Sequence, residues 1–387
     1  MSKIKVNSLE GVGASTPAIS IDNASGTCTL NATSNGGGQL ANRNVIINGA
    51  ALVNQRGDKT GTTTGGFGAD RFQCVMNETG TLNIVQSSDS PNGFSYSHGL
   101  FQTTAQGSLD SNDLTAFRYN VEGFDVQRFK KGTSDAQQFT VSFFVKSVDQ
   151  SSYPVTYILE LRDPINTRSC CKSYTVTASN TWEYKTITFP ADTTGAWTAN
   201  NSKALEMNWF VAAGSNYTTG TLSTSWASTV TANRAAGLTA NLSANTSNKF
   251  LISGVQLEVG SVATEFEHRS FSDELLKCQR YCQKLGASNG TYDCMAVGNA
   301  IYNTFGFVPH RLVVTMRSTP SFTLLGSASD FNYTRDGGDY APTAIVLDQA
   351  GRNMVAVKVT GSNLSNDEAI RLFNMNTTGG YLFTAEL

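Results

Sequence analysis

The amino-acid sequence predicts an all-β protein built around a β-sandwich. Three observations lead there. Gly, Ser, Thr and Asn are abundant, while long stretches of Ala, Glu, Lys and Leu are nearly absent. Short segments alternate polar and apolar residues or carry brief β-branched and aromatic runs. Turn residues bound each of them, as in Asp163-Pro164-Ile165-Asn166 and Asp192-Thr193-Thr194-Gly195.

Residues 1–42 differ from the rest. Two short alternating runs, at 3–6 and 18–22, sit among Gly, Ser and Asn. Such a segment cannot bury a core of its own, so it reads as an N-terminal arm for attachment to a partner surface. From 43 to 270 strands are expected at 139–146 (FTVSFFVK), 155–161 (VTYILEL), 173–176, 183–189 (EYKTITF), 204–212 (ALEMNWFVA) and 250–257 (FLISGVQL). So many strands without intervening helices form a sandwich, because a sheet buries one face against another.

One helix is expected, over 272–285 within a linking segment 271–285. Ser272 would cap it, Asp273 and Glu274 suit the positive end of its dipole, and Gly286 would stop it. Phe271, Leu275, Cys278, Cys282 and Leu285 are spaced 4, 3, 4, 3, a seam that would serve either a trimer interface or packing on the helix's own β-domain. Residues 286–387 return to β-patterning, with strands expected at 312–316, 321–325, 344–347, 354–359 and 381–385. No repeat of fixed period is present, which disfavours solenoids and propellers.

Charged residues are 15% of the chain and the net charge is −2. This balance disfavours a disordered chain and offers no basic stripe for nucleic acid. No apolar run reaches the length of a membrane span, and the first residues lack a signal peptide's apolar core. Seven cysteines, at 28, 74, 170, 171, 278, 282 and 294, form no CxxC pair, so free buried thiols are expected rather than a zinc or redox motif.

Catalytic signals are sparse. The three histidines, His98, His268 and His310, lie in no paired motif, and no G-x-S-x-G elbow exists. The nearest carboxylate pairs, Asp110/Asp113, Asp336/Asp339 and Glu265/Glu267, read as solvated turn residues. Asp330, Asp336 and Asp339 could offer oxygen to calcium, but their spacing fits no EF-hand, so no metal or other cofactor is expected. Sugar binding asks only for an aromatic face and hydroxyl-binding side chains. Trp197, Tyr217 and Trp226, flanked by Asn200, Asn201, Asn216 and Thr218, are the loop-borne candidates; Trp182 and Trp209 read as core. At the far end, the stretch DFNYTRDGGDYAP offers Tyr333, Arg335 and Tyr340.

Several longer words carry a resemblance. They are NRNVIINGA at 42–50, VNQRG at 53–57, GADRF at 68–72 and VEGFDVQRFKKGTSDAQQFTVSFFVKS at 121–147. SYTVTASNTWEYKTITFPADTTGAW follows at 173–197, then GVQLEVGSVATEFEHRSFSDELLKCQRY at 254–281 and TAEL at 384–387. In this order the chain resembles a family of phage and prophage tail-fibre or minor structural proteins with a carbohydrate-binding-module-like jelly roll. The resemblance implies a jelly roll over 43–270, a virion location after assembly in the host cytoplasm, and a homotrimer. It carries no agreed catalytic residues. The expected role is host-surface adhesion without catalysis, with 1–42 binding other virion proteins, 286–387 distal, and a host glycan or protein as receptor. A purely structural head fibre, decoration or connecting protein is the alternative; a polysaccharide depolymerase ranks third because the repeating rungs of a β-helix are absent.

Overall fold

The computed structural model describes residues 42–148, 152–287 and 292–387, with three short N-terminal strands, Ser8–Leu9, Ile19–Ile21 and Cys28–Leu30, that pair antiparallel in that order. The expected arm at 1–42 otherwise lies outside the described residues.

The fold is all-β. Two antiparallel sheets face each other in a sandwich. In one, the neighbours run Glu183–Phe189, Phe139–Val148, Lys249–Val259, Ser97–Thr104, Thr81–Ser87 and Lys59–Thr62. In the other they run Ala227–Ser228, Arg168–Val176, Val155–Asp163, Lys203–Ala213, Leu114–Glu122, Phe72–Asn77 and Gly66–Phe67. Side chains alternate between faces along a strand, so Val141, Phe143 and Val145 point inward while Ser142, Phe144 and Lys146 point outward. Between the sheets the Trp209 ring meets Phe143 edge-on at 5.8 Å and Phe72 at 6.3 Å, and both rings are fully buried. In the segment 42–50, Asn44 and Asn48 are structural. The Asn44 Oδ1 accepts from the Ile46 and Leu257 amides, and the Asn48 side chain closes the bend to Val53.

A second core, with Val308, Phe331, Tyr333, Val357, Leu372 and Tyr381 at its centre, fills the C-terminal part. It lies against a seven-stranded antiparallel sheet ordered Gly338–Tyr340, Phe331–Arg335, Ala369–Asn374, Cys294–Tyr302, Phe305–Arg311, Met354–Thr360 and Ala344–Ala350. A three-stranded sheet, Cys282–Gly286, Gly380–Thr384 and Ser321–Leu325, completes it. The expected strand at 312–316 is absent. There the chain is irregular, with the Leu312 and Met316 amides bonded to the carbonyls of Asn353 and Arg352 and both side chains buried.

The linking segment departs from expectation. The helix spans only Phe271–Gln279, capped by the Ser270 hydroxyl rather than Ser272, and the chain then turns at Tyr281 into the strand Cys282–Gly286. Tyr281 forces that exit. Its fully buried ring lies under the Arg71 guanidinium at 3.5 Å, and its hydroxyl donates to Glu122 at 2.6 Å. The heptad-like seam is therefore not one surface. Cys278 packs with Ile47, Val53 and Tyr281 inside the chain, with Leu275 at its margin. Cys282 and Leu285 sit on a strand, Cys282 without exposure, and Phe271 is solvent-exposed. Within the chain, Leu275 and Cys278 of that spacing pack against Ile47 and Val53.

The chain's last residues fasten the two parts together. Glu386 pairs with Arg56 at 2.9 Å and with Arg71, and the Arg317 guanidinium donates to the carbonyls of Ala385, Glu386 and Asn201. No helix among the described residues is long and apolar enough to cross a membrane.

Candidate functional site

The outer face of the six-stranded sheet carries an open cleft of about 560 Å³, within the range of small-ligand sites. Phe144 and Tyr184 face each other across neighbouring strands in register, with centroids 4.9 Å apart. On the other side of Phe144 the pairing with Lys249–Val259 shifts between Ser142 and Phe144, a β-bulge at Gly254 and Val255. Gly254 adopts φ +61°, and a Cβ there would come within 2.7 Å of the Phe94 ring and 3.2 Å of Phe144. A glycine is thus required both for the backbone and for the space. Phe94 drops into that space from the loop after Thr81–Ser87, 5.5 Å from Phe144. Phe266 and His268 close the far wall, each 5.1 Å from Phe94.

Side-chain hydrogen bonds hold both loops. The Ser253 hydroxyl donates to the Tyr96 carbonyl at 2.7 Å, and the Ser90 hydroxyl to that of Phe94 at 2.7 Å. On the opposite wall Glu258 accepts from the Thr264 amide and hydroxyl, and the Gln256 side-chain oxygen accepts from the Glu267 amide at 2.9 Å. Tyr184 is 47% exposed, and Phe94, Phe144 and Phe266 are half-buried, so ring surface remains open to a ligand. Asn92, Thr264 and Glu265 supply polar groups at the rim. Two residues along the same faces, Trp182 donates its indole N–H to Asp89 at 3.1 Å and Lys146 pairs with Asp89 at 2.8 Å. Trp182 therefore belongs to this outer strip and not to the core.

Among the cleft's lining residues Glu265 is the sole carboxylate. Its neighbour Glu267 is spent on the backbone amides of Asn42 and Asn44 and on Arg269. The other histidines lie elsewhere. His98 is buried against Phe72 at 3.9 Å with Nε2 at the Asn48 carbonyl, and burial pushes its pKa down to about 4. Burial also pushes His310 down to about 4.

The sequence-derived candidates fall apart into structural roles. Trp197 and Trp226 are not loop platforms: they are 7% and 9% exposed and enclose the Lys131 ammonium at 5.3 and 5.4 Å. That ammonium also meets Asp163 at 2.7 Å and Asp192 at 3.1 Å, while Arg168 grips Asp192. Lys131, Asp163, Asp192 and Arg168 thus form a neutralised cluster under the two rings, which is how charge is tolerated in a core. Tyr217 is half-buried against the sandwich's seven-stranded sheet with Arg234 over its ring; its neighbour Asn216 bonds Asn112, and Asn201 donates to the Arg317 carbonyl. Tyr333 is fully buried and its hydroxyl donates to the Ser362 carbonyl. Tyr340 stacks on it at 5.9 Å, and Arg335 pairs with Asp336 and Glu368. The stretch expected as a contact loop is a hairpin at the sheet edge, turning at Asp336 and Gly337. Asp330, Asp336 and Asp339 form no shared ligand group; Asp330 accepts from Asn376 and Ser327, and Asp339 from Thr334.

Sequence reading missed Phe94, Phe144, Tyr184 and Phe266. Alternation could have placed Phe144 and Tyr184 on an outer face opposite Phe143 and Ile187, but nothing local ties loop residues Phe94 and Phe266 to them.

No family model matches the chain, and no curated protein does. Among solved structures, one similar chain is the enzymatically active domain of bacteriophage CBA120 tailspike protein 4. It is 12% identical with a TM-score of 0.30, over 56% of this chain and 22% of that one, so this chain spans about a fifth of it. Another is TmCBM61 in complex with β-1,4-galactotriose, 10% identical, TM-score 0.27, covering 56% of this chain and 99% of that one. A third is the C-terminal family 22 carbohydrate-binding module of Clostridium thermocellum Xyn10B, 10% identical, TM-score 0.28, covering 52% and 99%. Likeness at this level assigns neither family nor activity.

Proposed function

We propose that the protein is a non-enzymatic appendage component of a tailed-phage virion that holds a host-surface glycan in the aromatic cleft of its sandwich. The observation that carries this reading is the cleft itself: four half-open aromatic rings from two strands and two pinned loops, with amide, hydroxyl and carboxylate groups at the rim. Aromatic faces cover the apolar C–H face of a pyranose while rim groups take its hydroxyls. A single carboxylate supports binding over hydrolysis, since a glycosidase of the usual kind places two beside the scissile bond. The virion location rests on the resemblance of the sequence to phage tail-fibre and minor structural proteins, with residues 1–42 as the attachment arm. This reading puts the contact surface on the sandwich, whose ring faces are open, in preference to the Tyr333–Tyr340 hairpin, where Tyr333 is enclosed and Arg335 and Tyr340 are half-buried.

Labelled protein should adsorb to host cells, free surface polysaccharide should compete, and Tyr184→Ala should weaken adsorption. Protein that ignores cells but enters particles normally would favour the structural reading, as a connecting or decoration protein. A homotrimer belongs to the same proposal, and a stable monomer by light scattering at micromolar concentration would remove it. Deleting 1–42 should leave a folded protein that no longer joins virions.

A further inference from the structure

At one end of the sandwich, the turn after Phe72–Asn77 meets the loop that leads into Leu114–Glu122. Together they bring Glu78, Asp110 and Asp113 close enough that one carboxylate oxygen from each lies within 4.8 Å of the other two. The geometry is imposed by the surrounding chain. Glu78 occupies a left-handed turn position at φ +47°. The Asp113 amide donates to the Asp110 carbonyl at 3.1 Å, and the Asp110 amide to the Asp113 Oδ2 at 2.8 Å. Asn77 clamps the loop through the Asn112 carbonyl at 3.1 Å, and Asn216 through the Asn112 side chain at 2.6 Å and the Ser111 carbonyl at 3.0 Å.

Two further observations point to a ligand. Among the described residues no Lys or Arg pairs with any of the three carboxylates. And Asp113 is fully enclosed while its Oδ1 accepts no hydrogen bond. A buried, unpartnered carboxylate oxygen within a group of like charges is unfavourable unless a cation completes it.

We propose that Glu78, Asp110 and Asp113 hold a divalent cation of calcium's class, clamping the 78–80 turn to the 110–113 loop. Oxygens no more than 4.8 Å apart fit on a sphere of about 2.3–2.6 Å radius, the calcium–oxygen distance. Three carboxylates supply three to six of the six to eight oxygens calcium takes, about as many as such sites draw from protein before water fills the rest. Water has access, because Glu78 and Asp110 are exposed and Glu78 also lines an open cleft of about 480 Å³. Calcium is preferred over magnesium because the ligands come from two separate loops, and calcium tolerates the irregular geometry that magnesium's octahedron does not. The site uses none of the aromatic cleft's residues and stands apart from the glycan proposal.

The test is calorimetric titration of the full chain, stripped with EDTA, against calcium chloride and in parallel against magnesium chloride, with thermal unfolding in both metal-free and calcium buffers. One calcium per chain should bind with Kd below about 1 mM, the weak limit for extracellular modules, and should raise the Tm. Asp113→Asn keeps an acceptor for the Asp110 amide, and Glu78→Gln changes an exposed side chain. Each should weaken calcium at least tenfold, while melting no lower than the wild type in EDTA because like-charge repulsion is relieved. That last outcome separates a cation site from a merely structural cluster. Absence of calcium binding by the wild type, or binding that both variants leave unchanged, would overturn the proposal. If Asp113→Asn fails to fold, Glu78→Gln decides alone.

Discussion

On the outer face of the seven-stranded sheet, Glu160, Asn208 and Arg118 stand in one cross-strand row, and Arg162 and Glu206 in the next. Glu160 accepts two bonds from Arg234 and one from Asn208, and Glu206 is ringed by Arg162, Lys203 and Arg118. On the outer face of the six-stranded sheet the equivalent rows carry Phe144 and Tyr184 beside a glycine bulge. Both faces come from long antiparallel strands with the same alternation. One is closed by paired charge and by the segment carrying Tyr217 and Ala235; the other leaves its rings uncovered. The difference teaches that charge in this sandwich builds structure, while its exposed aromatic surface is free to meet a ligand.

The largest effect should come from breaking the ionic face. Glu160→Ala leaves Arg234 without its partner, and removing one member of a buried pair costs about 3–5 kcal/mol. Chemical denaturation should show that loss, with glycan binding per folded molecule unchanged. Loss of binding alongside it would mean that the two faces are coupled.

Acid should act on the same face. Burial would raise the Glu206 carboxyl, but Arg118, Lys203 and Arg162 outweigh it and hold its pKa down at about 2. A depressed carboxyl contributes stability that is full above its unfolded pKa, about 4.5, and is lost as pH falls toward 2. Stability curves of wild type and Glu206→Gln should converge over that window by about 3 kcal/mol at most. Parallel curves would remove Glu206 from the account.

Gly254→Ala should cost about 1–3 kcal/mol through the left-handed backbone and displace Phe94, closing the cleft. Its binding loss should exceed its stability loss. Smallest of all, Tyr184→Ala should change stability by less than about 0.5 kcal/mol, because the ring is half in solvent already. A larger loss would reclassify Tyr184 as core.

The fold class was legible because period-two alternation and turn chemistry are local. FTVSFFVK is the outstanding example: it forms part of Phe139–Val148 in the predicted way. Two kinds of information were not local. The seam at Phe271, Leu275, Cys278, Cys282 and Leu285 has helical spacing, yet Cys282 joins a strand with the chain's last residues, a pairing about a hundred positions distant. Trp197 and Trp226 looked exposed because their sequence neighbours are polar and do stay at the surface, but the two rings turn inward over Lys131, which arrives from elsewhere in the chain. The cleft failed to show for the converse reason. Phe94, Phe144, Tyr184 and Phe266 are scattered aromatics until a bulge at Gly254 lets them meet.

Calorimetric titration of purified host-surface oligosaccharide into the wild type and into the double variant Phe144→Ala/Tyr184→Ala tests the central claim most directly, with Trp226→Phe as the core control. Loss of two ring faces should weaken binding by about 1–3 kcal/mol, roughly fivefold to 150-fold, while Trp226→Phe binds as the wild type does. Undiminished binding by the folded double variant would contradict the account and move glycan recognition off the six-stranded sheet.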